Sequence, residues 1–268
     1  MNTQPITSAA PLPILDIIKE ALAKQHYQMV YQPQFGFADG RLKGFEALVR
    51  CQSPRFGMIS PADFIPFAEE SGDIIELGHW ITRQSLLDLK NLRELSGLPL
   101  YMSINISPCQ FQAGDVYEHV MKTLMDMNLP ASAVKLELTE TALIQNPSMI
   151  GRTFKAFQRD GVQVWLDDFG TGFASLNLLR EFKIDGLKID KSFVDGLHTS
   201  DDDFTICSAI IAMAQRLGLN IVAEGVETEP QMHILSQLGC NSVQGYLTGR
   251  PTPLDECSHF WLENRFIN

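Results

Sequence analysis

Apolar positions change their spacing several times along the chain, and each change marks an element. Over 14–26 the residues Ile14, Leu15, Ile17, Ile18, Ala21 and Leu22 recur at helical intervals. Residues 27–37 are instead rich in aromatic and β-branched side chains, Ala38, Asp39 and Gly40 carry a hairpin-type turn signal, and 42–50 resume the strand pattern. These two strands are expected to pair antiparallel. Residues 1–13 are polar, small and punctuated by proline, the character of a tail or of the trimmed end of a longer chain.

Beyond the hairpin the pattern becomes strand followed by helix. Helices are predicted over 61–71 and 74–95, the first opened by Ser60 ahead of Pro61. Short apolar strands over 100–106, 134–138, 186–189, 220–223 and 241–243 alternate with helical stretches over 116–127, 147–159, near Leu176, and over 204–216, 230–238 and 253–266. The stretch 162–173 is the most informative: Val162, Val164, Trp165 and Leu166 form a strand that runs into Asp167 and Asp168, then into a loop with Gly170 and Gly172. A strand–helix unit roughly every 25 to 35 residues suits a TIM-type (β/α)8 barrel, in which ~250 residues are shared by eight units. The rival is a doubly wound open sheet, but its GxGxxG fingerprint does not open the first helix. The initial hairpin makes the expected barrel irregular, with an antiparallel first strand.

Length and composition narrow the class. At 268 residues with 45% hydrophobic and 20% charged side chains, the chain can bury a full core and is not a disordered sequence. A formal net charge of -11 argues against a general nucleic-acid binder, which needs a basic face; an anionic substrate stays possible where cations invert the local field. Five scattered cysteines without a CxxC pair favour reduced thiols in a cytoplasmic compartment. The N-terminus lacks a secretory pattern, and no apolar run reaches the ~18 residues of a membrane helix. The expectation is a soluble, intracellular protein without a membrane segment.

In a barrel, functional residues belong at the C-terminal ends of the strands. Those ends read Glu46, Asn105, Glu137, Asp167 with Asp168, Lys188 with Asp190, Glu224 and Gln244. A single acid at such a place is commonly a turn residue or a helix cap, and Lys188 could be an ion-pair partner only. The series together forms an oxygen cage suited to Mg2+ or Mn2+ rather than zinc, since none of the six histidines stands at a predicted strand end. Acids this dense suit two cations a few Å apart, a device for in-line displacement at phosphorus. Lys188 could there orient the attacking water and offset charge in the transition state.

These residues lie in an ordered series of motifs: FEALVR with Glu46, ISPADFIPFAEESG (59–72), SINIS (103–107), LELTET (136–141), DDFGTGFASL (167–176), LKIDKSFV (187–194), VAEGVET (222–228) and QGYLTGRP (244–251). The series resembles the EAL family of cyclic di-GMP phosphodiesterases over nearly the whole chain, with 14–268 as its domain. The resemblance implies hydrolysis of one phosphodiester bond of cyclic di-GMP to the linear 5′-phosphorylated dinucleotide, on a barrel with a reversed first strand, with homodimers common. It implies Glu46, Asn105, Glu137 and Asp167 as ligands of one divalent ion, Asp168 completing a second site, and Glu224 at the metal centre. Lys188 would hold the nucleophilic water, with Glu46 and Glu224 sharing in the catalytic centre. Arg50 would contact a substrate phosphate, Gln244 would lie near the centre, Asp190 would support Lys188 beside the substrate, and Glu140 would steady the loop after Asp168. Calcium is expected to bind and inhibit.

Two departures stand outside this set: Cys51-Gln52-Ser53-Pro54 replaces the family's usual Trp-x-His-Pro, and Lys183 stands where proline is frequent. The first bears on a pocket wall. The alternative reading is a catalytically silent EAL domain that binds cyclic di-GMP as a receptor or serves as an interaction module. Such domains usually lack a metal, lysine or loop residue, and none is missing here. The loop 169–176 is further expected to couple metal occupancy to a dimer surface.

Overall fold

The computed structural model describes residues 14–24, 26–54, 56–140, 147–170, 179 and 182–263. Among the described residues there are nine strands: β1 Tyr27–Gly36, β2 Leu42–Ser53, β3 Gly57–Ile59, β4 Tyr101–Asn105, β5 Val134–Thr139, β6 Gln163–Phe169, β7 Gly186–Ile189, β8 Asn220–Ala223 and β9 Ser242–Val243. They run in the spatial order β1-β9-β8-β7-β6-β5-β4-β2-β3, and the pairing of β1 with β2 closes eight of them into a barrel. β1 is antiparallel to both neighbours, while β2 and β4 through β9 are mutually parallel. The barrel with a reversed first strand is therefore the observed fold. β2 extends three residues past the expected end and pairs antiparallel with the unexpected β3.

Parallel strands buried on both faces read as apolar runs, because their outward side chains must meet helices. Ile104, Leu136, Val164, Leu166, Leu187 and Ile221 are buried between the barrel and its helical jacket, which includes Leu86, Leu89 and Leu92 of Ile74–Ser96. Local chemistry sets the helix ends. The Ser60 hydroxyl accepts from the Ala62 N–H at the start of Pro61–Ser71, and Gly72 closes that helix in the left-handed region. Thr228 and Gln231 cap Glu229–Leu238 reciprocally. The helix expected over 204–216 begins three residues earlier, at Asp201, because Ser200 accepts from the Asp203 N–H. The expected final helix is divided into a short 3-10 turn, Leu254–Glu256, and Ser258–Glu263. Residues 1–13, the short helix expected near Leu176 and the loop 171–176 lie outside the described residues.

Inside the barrel, side chains form layers. Tyr101 and Trp165 fill the layer below the strand ends, and the Lys135 ammonium sits between their rings, 3.5 and 3.9 Å from the centroids. Both rings lie over glycines on the paired strand: Gly44 faces Tyr101 and Gly186 faces Trp165. A Cβ at 186 would come within 2.7 Å of the indole, so only glycine leaves room for it.

Candidate active site

Strand polarity delivers the acids to one mouth. Glu46 of β2, Asn105 at the end of β4, Glu137 of β5, Asp167 of β6 and Lys188 of β7 face inward, and Glu224 and Gln244 directly follow β8 and β9. Lys188 occupies the centre. Its Nζ lies 2.7 Å from Glu224 Oε1, 2.8 Å from Glu137 Oε2, 3.1 Å from Asp167 Oδ1 and 3.3 Å from Glu46 Oε1.

The electrostatics show how crowded the cluster is. Burial alone would lower the Lys188 pKa, but Asp167, Glu137, Glu224 and Glu46 together raise it well above its ordinary value. Burial pushes Glu137 up to about 7, against the opposing pull of Lys188. Burial and the adjacent Asp167 raise Asp168 to about 6. Glu224 is raised well above the carboxylate range, again chiefly by burial. Glu46 behaves differently: burial raises it, but Lys188 and the amides of Gln244 and Asn105 bring it below the ordinary value.

Five carboxylates therefore face one ammonium, and fully ionised they leave four net negative charges, as many as two divalent cations neutralise. Oxygens of Glu46, Glu137 and Asp167 lie within 4.8 Å of one another, as do those of Asp167, Asp168 and Glu224, so Asp167 belongs to both groups. An all-oxygen donor set with this charge fits hard divalent cations. Asp168 holds a left-handed backbone, φ 53°, which turns the chain between the two groups.

The remaining expected residues are placed as follows. Asn105 Nδ2 donates to Glu46 Oε1 at 2.8 Å, and Gln244 Nε2 donates to Glu46 Oε2 at 2.5 Å. The Gly170 N–H donates to Glu140 Oε1 at 2.7 Å, which ties the residue after the Asp168–Phe169 step to β5. Arg50 is half-buried, gives one N–H to the Val49 carbonyl and borders a second cavity of about 290 Å3, walled by Ile65, Ile74 and Ile106 and reached also by Asn105 and Glu137. Asp190 makes no ion pair with Lys188: its carboxylate caps Lys191–Asp195 by accepting from the Ser192 N–H at 2.9 Å.

A cavity of about 340 Å3 opens over the acids, and residues absent from the sequence expectation also line it: Gln32, Lys191, Glu227 and Tyr246. Lys191 Nζ pairs with Glu227 Oε1 at 2.5 Å, and the Arg250 guanidinium stacks 3.9 Å from the Tyr246 ring. Three of the four stand inside motifs already singled out, so proximity to the strand-end residues was the available signal. A concavity of about 1020 Å3 beside Tyr27, Trp80 and Leu92 is larger, but it contains none of the clustered acids.

The family model of the EAL domain matches residues 15–251. The bifunctional diguanylate cyclase/cyclic di-GMP phosphodiesterase MucR of Pseudomonas aeruginosa is 35% identical over 245 residues, covering 91% of this chain and 36% of MucR. The cyclic di-GMP phosphodiesterase PdeR of Escherichia coli is 37% identical over 236 residues, covering 88% of this chain and 35% of PdeR. The chain spans about a third of the length of these relatives. Among solved structures, the PaMucR phosphodiesterase in its c-di-GMP complex aligns with a TM-score of 0.86 at 35% identity, covering 91% of this chain and 99% of that one. The EAL enzyme Bd1971, bound to cAMP and cyclic-di-GMP, aligns with a TM-score of 0.86 at 31% identity, covering 94% and 70%.

Proposed function

The chain belongs to the EAL domain family, and on that premise we propose that it is a metal-dependent phosphodiesterase hydrolysing cyclic di-GMP to linear 5′-phosphoguanylyl-guanosine. The observation that carries this reading is the clustering of five carboxylates at the barrel mouth, four of them in contact with buried Lys188. Glu46, Asn105, Glu137 and Asp167 would hold one Mg2+ or Mn2+ ion, and Asp168 with Asp167 and Glu224 a second. Bound there, the ions would supply Lewis acidity toward the scissile phosphate and the attacking water.

The chain's own groups do the rest. Lys188, fixed by four carboxylates, can orient the water and lend positive charge to the phosphoryl oxygens as they gain negative charge. Arg50 lines one cavity with Asn105 and Glu137, the other acids line the second, and Leu48 borders both. That spacing suits an arginine contacting a substrate phosphate while the two halves of a dinucleotide lie on either side. Gln244 braces Glu46, and Asp190 acts on the site through the helix that carries Lys191. In the reaction, the water oxygen bonds to phosphorus, the P–O3′ bond breaks and the 3′ oxygen leaves with a proton, giving a 5′-phosphate end.

Incubation of the purified chain with cyclic di-GMP and Mn2+ or Mg2+ should yield the linear dinucleotide by chromatography. No turnover with either ion would remove the enzyme reading, and binding without turnover would leave a receptor. A homodimer in the cytoplasm belongs to the same reading. The free thiols of all five cysteines are consistent with that compartment, and sedimentation would test the dimer.

A further inference from the structure

A directed chain of hydrogen bonds runs from the lower barrel layer to a carboxylate at the mouth. The Tyr101 hydroxyl donates to Gln34 Oε1 at 2.8 Å, Gln34 Nε2 donates to Gln244 Oε1 at 2.6 Å, and Gln244 Nε2 donates to Glu46 Oε2 at 2.5 Å. The second hydrogen of Gln244 Nε2 goes to Gln32 Oε1 at 3.0 Å, and Gln32 in turn donates to the Gly249 carbonyl at 3.2 Å. Gln34 is fully buried, and Gln244 and Glu46 are 3% and 5% exposed. Four strands contribute: β4, β1, β9 through the residue after it, and β2.

The direction of this chain is forced from its upper end. An ionised Glu46 can only accept, so Gln244 must turn its NH2 toward it and its carbonyl toward Gln34. Gln34 must then turn its own NH2 to Gln244, and its carbonyl is left for a donor, which Tyr101 supplies. Should Gln34 or Gln244 reverse, two acceptors would face each other in a buried space, and a reversed Gln244 would withdraw its NH2 from Glu46 Oε2.

We infer that Tyr101 and Gln34 are positioning residues for the metal ligand Glu46, acting through Gln244 to fix the direction in which its carboxylate points. The inference rests on the proposed metal-holding role of Glu46. Outer partners of metal ligands orient those ligands and so set metal affinity. The Tyr101 ring is itself fixed between Gly44 on the neighbouring strand and the Lys135 ammonium, so the lower end of the chain has a rigid anchor.

Calorimetric titration with Mn2+ in the absence of substrate tests this, using Tyr101→Phe, which removes one hydroxyl, and Gln34→Met, which keeps volume and removes the amide. Relative to the unaltered chain, the Mn2+ dissociation constant should rise about tenfold in Gln34→Met, the low end for outer partners, and by less, about threefold, in Tyr101→Phe, which is one bond further from the ligand. With saturating Mn2+, kcat should fall by less than the affinity does, because the same carboxylate is then held by the ion itself. Thermal melting would show whether Gln34→Met folds; where it does not, Tyr101→Phe decides. Folded variants that bind Mn2+ as tightly as the unaltered chain, or that lose kcat at unchanged affinity, would overturn the inference. Absence of Mn2+ binding by the unaltered chain would overturn the metal reading beneath it.

Discussion

Lys188 Nζ lies 2.8 Å from Glu137 Oε2, and both side chains are 1% exposed. The ammonium is thus a structural counter-charge, whatever part it takes in the reaction. Lys188→Met is expected to lower turnover by more than ~100-fold, as loss of a transition-state charge partner does. It should also lower stability in chelator by about 3 kcal/mol, because four contacting acids lose their cation. Mn2+ should then raise the melting temperature of the variant more than that of the unaltered chain. Equal melting curves in chelator would show that the acids do not depend on Lys188.

Glu140 reaches across to the Gly170 N–H, beyond the two aspartates of β6. Glu140→Ala should lower kcat about tenfold while Mn2+ affinity changes little, since Glu140 touches the chain after Asp168 and not the cage. Glu140→Gln keeps an acceptor and should fall between. Steady-state kinetics with metal titration separates the two, and unchanged kcat in Glu140→Ala would remove the role.

Calcium should bind without supporting turnover. Its larger radius and loose coordination suit an all-oxygen cage but not the octahedral order that Mg2+ imposes. Ca2+ is therefore expected to raise the melting temperature and to inhibit the Mn2+-loaded enzyme competitively. Turnover with Ca2+ alone would contradict this.

A pH dependence resides away from the mouth. His79 and His119 stack 4.0 Å apart between helices Ile74–Ser96 and Val116–Met127, with Asp115 and Arg83 nearby. Burial, followed by His79, holds the His119 pKa below its ordinary 6.5. The folded state thus favours the neutral ring: the contribution is complete above pH 6.5 and is lost as pH falls through the depressed folded value. His119→Gln should flatten the decline in melting temperature below pH 6.5. Parallel pH profiles for the two proteins would refute it.

The strand-end acids were legible because period-two alternation and barrel polarity put Glu46, Asn105, Glu137, Asp167 and Lys188 on one face without any knowledge of packing. Gln32 and Gln34 were not, since β1 runs against its neighbours and its earlier residue, not its later one, lies nearer the mouth. Helices Pro108–Ala113 and Lys191–Asp195 are too short to show a 3.6-residue period, so the capping role of Asp190 is not legible in the sequence. The four contacts of Lys188 join residues from Glu46 to Glu224, and arise only when β7 meets other strand ends of the barrel, beyond the reach of local pattern.

Asp168 sets stability and chemistry against each other at one position. Its φ of 53° disfavours a residue with a Cβ by ~1 kcal/mol, which glycine would recover. Asp168→Gly should therefore melt no lower than the unaltered chain and yet turn over poorly, whereas Asp168→Val would suffer in both respects. Selection of variants for thermal tolerance alone would drift toward glycine here, and screening for activity would be needed to keep the carboxylate.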